Sequence, residues 1–295
     1  MKNILVPTDF SQCAANAYNY AALLAEKTGA VIHLFHTLDI PSSIQATTGK
    51  DTTATTGDVQ YMMGLMKLTK NRMKKTRNNK VFKDLRINEI IAIGNITGKI
   101  SAAVKQYKID LIVMGTHGLS GMQGNIIGSN SEKVVRNADI PVLTVKDSIK
   151  EPKIKKILFG TDFSGETKHV LRAVSNITKI FGAELILAKV VTLNDFESTH
   201  ETEEQINEFR KKSKLFNYTT KIYYAHSREE GIRNVAETLK ADIIAMGTHG
   251  RHGLARLFQG SVAEEVVSHS ALPVLTINLQ KKLMGAAVNK EKKRK

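Results

Sequence analysis

Short, nearly continuous apolar runs alternate with stretches of helical spacing along the chain. In the first half, ILVP (4–7), VIHLF (31–35), INEIIAI (87–93), LIVMG (111–115) and PVLTV (141–145) predict strands. Between them, Cys13–Thr28, about Tyr61–Lys80, Ile96–Tyr107 and Ser131–Asn137 carry apolar residues at helical intervals. Strands that are apolar on both faces and alternate with helices describe a parallel sheet covered on both sides. The expected fold is therefore α/β and doubly wound, an architecture that binds ligands at the carboxyl ends of its strands.

The pattern occurs twice. KNILVPTDFS (2–11) returns as KKILFGTDFS (155–164), and DLIVMGTHG (110–118) returns as DIIAMGTHG (242–250). GSNSEKVVRNADIPVLTV (128–145) returns as GSVAEEVVSHSALPVLTI (260–277), in the same order. Such self-similarity marks two copies of one unit, here 1–147 and 153–280, followed by a basic tail, 281–295, that is expected to be disordered. The first copy carries 21 extra residues: Asp9 to Gly115 spans 106 positions, whereas Asp162 to Gly247 spans 85. The surplus falls at about 41–85. It holds TTGKDTTATTGD (47–58), which reads as a flexible loop.

The strongest chemical signal follows the fourth strand of each copy. Gly115 and Gly118 are separated by two residues, and nine residues later come Gly128 and Ser129. Gly247 and Gly250 are likewise followed, after nine residues, by Gly260 and Ser261. Glycines let the backbone approach and wrap a phosphate, and a helix N-terminus favours an anion. Ser129-x-x-Glu132 and Ser261-x-x-Glu264 also have the form of capping boxes, and both roles can share one helix end. The second signal is Thr-Asp-Phe-Ser at the end of the first strand, placing Asp9 and Asp162 where a carboxylate could accept from ribose hydroxyls. Ser11 and Ser164 read as helix caps.

These motifs resemble those of the universal stress protein family, in tandem, over roughly 1–147 and 153–278. Gly-x2-Gly-x9-Gly-Ser is similar to the nucleotide-binding motif of the family's ATP-binding branch, and it is complete twice. The resemblance implies two tandem Rossmann-like domains, each a five-stranded parallel sheet with helices on both faces. It implies ATP as ligand, with Mg²⁺ accompanying the phosphates. By analogy Asp9 and Asp162 contact ribose, and backbone groups at Thr37 and Val190 hold adenine. Gly115, Gly118, Gly128 and Ser129 cradle phosphate in the first copy, as do Gly247, Gly250, Gly260 and Ser261 in the second. The copies differ. RHGLARLFQ offers Arg251 and Arg256 near phosphate, whereas LSGMQGNII offers no cation, and Asn130 stands where the second copy has the apolar Val262. The second site is therefore the better match. The family's habit of pairing last strands implies that PVLTV (141–145) and PVLTI (273–277) pair within the chain; a further homodimer stays open.

Charge changes the picture less than it first suggests. The chain has 295 residues, with 43 Lys and Arg against 28 Asp and Glu, net +15. The length suits about two domains, and a balance this basic raises polyanions as partners. Yet residues 151–280 hold 17 basic and 16 acidic residues. The excess sits in 67–86, with nine basic residues and one acid, and in the tail, with seven and one. A solvated helix face is the favoured reading of 67–86, which leaves nucleic acid the less favoured partner.

Cys13 is the single cysteine, which excludes an internal disulfide framework. No apolar run reaches the roughly 18 residues of a membrane span, and MKNILVPTDF is too short for a signal-peptide core; the expected compartment is the cytoplasm. GNITGKIS (94–101) falls one residue short of a P-loop. THGRHG (248–253) lacks a carboxylate at a metal-ligand offset, so no protein metal site is expected. His33 and His36, three apart on a strand, should face opposite sides. The function favoured is a stress-response regulator that binds ATP. The alternatives are an interaction protein that uses 67–86 and the tail to hold an unidentified protein partner, or a slow ATPase or autokinase for which the sequence names no general base.

Overall fold

Each apolar run becomes a strand and each amphipathic stretch a helix in the computed structural model, which describes residues 1–38, 56–116, 128–146, 149, 151–163, 167–195, 198–213, 217–248 and 262–278. The first copy runs β1 (Asn3–Pro7), α1 (Gln12–Thr28), β2 (Val31–Leu38), α2 (Thr56–Arg77), a short 3-10 turn (Lys80–Phe82), β3 (Ile87–Ile93), α3 (Ile96–Gln106), β4 (Leu111–Gly115), α4 (Ser129–Asn137) and β5 (Val142–Val145). The second runs β6 (Lys156–Gly160), α5 (Thr167–Phe181), β7 (Glu184–Val191), a 3-10 turn (Leu193–Asp195), α6 (Thr199–Ser213), β8 (Tyr218–Tyr224), α7 (Arg228–Thr238), β9 (Ile243–Thr248), α8 (Val262–His269) and β10 (Val274–Asn278).

The ten strands form one sheet in the order β3-β2-β1-β4-β5-β10-β9-β6-β7-β8. Pairing is parallel within each copy. It is antiparallel at the junction, where Leu143 lies opposite Leu275 and Val142 opposite Thr276. Alternate strand residues feed two apolar layers. On one face Ile4, Val6, Leu111 and Leu143 meet α1, α2, α5 and α6; on the other Leu5, Ile112 and Val142 meet α3, α4, α7 and α8. Each layer runs through both copies, so the chain has a continuous core on either side of a shared sheet.

The junction is reinforced off the sheet. Arg136, in the last turn of α4, donates from Nε and Nη2 to both carboxylate oxygens of Glu264 in the first turn of α8, at 2.9 and 2.8 Å. Asn16 and Asn19 of α1 donate to the carbonyls of Lys146 and Ile149 in the connection between the copies, each at 3.0 Å.

Helix ends follow local chemistry, with two departures from expectation. Ser11 caps α1 by accepting from the Ala14 amide at 3.1 Å, as its type predicts. The expected capping box of the first copy does not form. Gly128 is the N-cap of α4, no side chain caps it, and Ser129 is already the first helical residue. Glu132 turns instead to Arg136, one helical turn on, at 2.9 Å. Its partner motif at Ser261 lies outside the described residues, as do 47–55 and the tail. Helix α2 also begins earlier than the periodicity suggests, at Thr56, with Asp58 in its first turn, where a carboxylate complements the helix dipole. Among the described residues no helix is long and apolar enough to cross a membrane.

Candidate functional site

Strand order creates the site. In each copy the order reverses beside the first strand: β1 lies between β2 and β4, and β6 between β7 and β9. Connections leave to opposite faces there, opening a crevice at the carboxyl strand ends. Asp9 follows β1 and Gly115 ends β4, which pairs with β1. Thr37 lies near the end of β2 on the other side. Asp162, Val190 and Gly247 take the matching places beyond β6, on β7 and on β9. Val262 opens α8. Gly118, Gly250, Arg251, Arg256, Gly260 and Ser261 lie outside the described residues, as does 119–127.

The Thr-Asp-Phe segment turns alike in both copies. Phe10 and Phe163 sit in the left-handed region, at φ 66° and 60°. Their amides donate to the hydroxyls of Thr8 and Thr161, at 3.0 and 2.9 Å. Those side-chain bonds offset the steric cost of positive φ at a bulky residue. In the first copy the Asp9 carboxylate accepts from the Ser11 amide at 2.9 Å, which holds it at the crevice rim. Asp9 is half-buried, whereas Asp162 is exposed.

The end of β4 is tied to the start of α4. The Gly128 amide donates to the Thr116 carbonyl at 2.7 Å, and Ser131 Oγ donates to the Gly115 carbonyl at 2.9 Å. The first turn of α4, without a side-chain cap, is thereby held beside the strand end. Gly115 also has a packing reason to be glycine: a Cβ there would lie 2.7 Å from the Cys13 carbonyl oxygen of α1. In the second copy Thr248 closes β9 with a buried hydroxyl that has no hydrogen-bond partner among the described residues.

Neighbouring side chains include several that sequence reasoning did not assign. Tyr18 and Thr8 share a hydrogen bond of 2.5 Å. His36 Nδ1 lies 2.7 Å from the Thr8 carbonyl oxygen, and its ring lies tilted against Phe10, with centroids 4.6 Å apart. His33 faces the other side of the sheet, between Asn3 and Asn88 and against Tyr107; the two histidines do point oppositely. Arg72 of α2 places its guanidinium 5.9 Å from the Phe10 ring centre. The expectation that 67–86 is only a solvated face therefore needs correction. Met73 is fully buried and Thr69 is buried, while Arg72 and Lys75 line a cleft of about 560 Å³ with Asp9, Ser11, Tyr18 and Thr76. Segment 119–127 carries no cation, but α2 supplies two beside the first copy's crevice. The signal for them was the basic run itself, but its docking is a tertiary event.

Burial pushes the pKa of both His33 and His36 down; at His36 the Thr8 carbonyl and Asp9 oppose this, and Arg72 adds to it. A depressed imidazole binds its proton first in the unfolded chain. Stability from these two residues is thus complete above the ordinary value of 6.5 and is lost as pH falls below it. Urea unfolding should show a lower midpoint at pH 5.5 than at pH 7.5. His33→Gln should flatten that difference; an unchanged slope would show that His33 does not contribute.

Two doubly wound α/β units, each with its crevice at the strand-order reversal and joined by their last strands, define a tandem Rossmann-like protein. The chain belongs to the universal stress protein family, whose model matches residues 1–146 and 153–278. It is 26% identical over 296 residues to universal stress protein Slr1230 of Synechocystis sp., covering 94% of this chain and 99% of that protein. It is also 26% identical over 153 residues to universal stress protein MJ0577 of Methanocaldococcus jannaschii, covering 49% of this chain and 94% of that protein. A universal stress protein structure from Archaeoglobus fulgidus shares the fold at TM-score 0.75 and 19% identity, over 94% of this chain and 98% of that one.

Proposed function

We propose that this protein is a stress-response regulator that binds ATP at the strand-end crevice of each copy. The observation that carries the reading is the first turn of α4, which has no side-chain cap and is held by Gly128 and Ser131 against the end of β4. Free helix amides at a reversal of strand order are suited to phosphate. The buried, unpartnered Thr248 hydroxyl at the matching end of β9 suits a polar ligand atom there. Asp9 and Asp162 would accept from ribose, and backbone groups at Thr37 and Val190 would hold adenine. The glycine and serine sets ending in Ser129 and Ser261 would wrap phosphate, with Arg251 adding charge in the second copy and Val262 opening the helix behind it. Bound Mg²⁺ would come with the phosphates and neutralise part of their charge. ATP acts here as a regulatory ligand and not as a fuel.

Equilibrium dialysis with ATP and Mg²⁺ tests this. Saturable binding should approach two nucleotides per chain and should disappear in Gly128→Val combined with Gly260→Val. No binding to the unaltered protein, or full binding in that double variant, overturns the reading.

A second reading has its own observation. Helix α2 exposes Val59, Tyr61 and Met63 in its first half and Leu68 between Lys67 and Lys70. Exposed apolar residues followed by lysines on one helix suit an acidic protein partner.

A further inference from the structure

The two copies differ most beside the Asp-Phe turn. Helices α2 and α6 hold the same place in their copies, between the second and third strands. Both face the sheet at the same spacing, with Thr69, Met73 and Thr76 in one and Thr202, Ile206 and Phe209 in the other. In the second copy Phe209 packs edge-on against Phe163 at 5.3 Å, and both rings are buried. In the first copy the matching position is Thr76, which lines the cleft with Tyr18, and the matching phenyl, Phe10, is only half-buried. Tyr18 itself corresponds to Leu171. The same register places Arg72 opposite Gln205 and Lys75 opposite Glu208. One copy has filled this place with apolar side chains. The other keeps an open, polar cleft with two cations.

We infer that the first copy's cleft is a phosphate subsite that selects a nucleotide carrying a second phosphate on its ribose 2′ or 3′ oxygen. This rests on the nucleotide reading, in which Asp9 meets the ribose. The cleft begins at Asp9 and continues away from the strand ends between α1 and α2, so a group on the ribose edge would enter it. Arg72, Lys75, Thr76 and Asn79 line it with donors. In dinucleotide folds a carboxylate holds the ribose 2′-hydroxyl, whereas a nearby arginine accommodates a 2′-phosphate. Asp9 would oppose such a phosphate. One of its oxygens already accepts from the Ser11 amide, however, and two cations outweigh one anion. The second copy, with Phe209 in that place and Glu208 matching Lys75, takes only the singly phosphorylated ribose.

Titration calorimetry of the full chain with AMP, adenosine 2′,5′-bisphosphate and adenosine 3′,5′-bisphosphate tests the inference. One site per chain should bind a bisphosphate about tenfold more tightly than AMP, the gain expected of one charge-assisted phosphate contact. In Arg72→Gln with Lys75→Gln the ratio should fall to about one. Both side chains are exposed, and a thermal melt checks that the variant is folded. AMP binding without preference for either bisphosphate overturns this inference alone. A preference that survives the double substitution also overturns it. Failure of all three to bind while ATP still binds in the dialysis overturns this inference alone, and failure of ATP as well removes the nucleotide reading with it.

Discussion

Gly115→Ala should destabilise the protein by roughly 2–3 kcal/mol, the cost of forcing atoms into a packed interior. The added methyl would meet the Cys13 carbonyl oxygen at 2.7 Å, its carbon at 2.8 Å and its Sγ at 2.9 Å. Two of the three are backbone atoms of α1, whose Ala17, Ala21 and Ala25 are buried against the sheet. A rotamer change cannot relieve a backbone contact, so helix and strand must separate. The Asp9–Phe10–Ser11 turn leads directly into α1, so the shift reaches the crevice, and the nucleotide binding proposed for the first copy should weaken with it. Gly64, within α2, provides the control: a methyl there meets nothing within 4 Å. Gly64→Ala should stabilise by about 0.5–1 kcal/mol through the unfolded chain. Urea unfolding of both variants decides the matter, and equal midpoints would show that α1 can move off β4 without penalty.

That contact also shows where sequence reasoning stops. Strands 87–93 and 111–115 and the helix from Ile96 were legible because the alternation of apolar runs and helical spacing is local. The two copies were legible because whole segments recur. The position of Asp9 and Gly115 at strand ends followed from element order, whereas Thr37 came only from the family resemblance, and β2 runs past the expected Phe35 to include it. What stayed hidden depends on contacts between distant residues. Arg72 meets Phe10 from 62 positions away, and no spacing rule relates a basic helix to a turn after another strand. Gly115 belongs to the repeated glycine pattern and makes a helix–strand contact at once, and the pattern concealed the contact. Ser129 matched a capping box by type and spacing, but the helix starts one residue earlier than the box requires, so Gly128 takes the cap. Element order also explains why Thr116 and Thr248 were passed over: the glycines before them carried the motif, and only burial sets the threonine hydroxyls apart.

Leu275→Ala should cost about 3 kcal/mol, the usual price of a buried leucine cavity, and should test whether the two copies unfold as one. Leu275 is fully buried at the centre of the ten-stranded sheet, opposite Leu143 of the other copy and beside Ala245 of β9. It belongs to the apolar layer that includes Ile4 and Val6 from the first copy and Ile157 and Phe159 from the second. A cavity there removes contacts from both copies together. Arg136→Ala acts on the opposite face, where the guanidinium spans α4 and α8. Because Arg136 is more than a third exposed and Glu264 less so, its loss should cost only about 1 kcal/mol, within the range for partly solvated bidentate pairs. If the shared layers make the chain one cooperative unit, wild type and both variants should each melt in a single transition, with the same midpoint by calorimetry and by circular dichroism. The Leu275→Ala midpoint should then fall well below that of Arg136→Ala. Two resolved transitions in Leu275→Ala, one at the wild-type midpoint, would mean that the copies fold independently and that β5 and β10 merely dock.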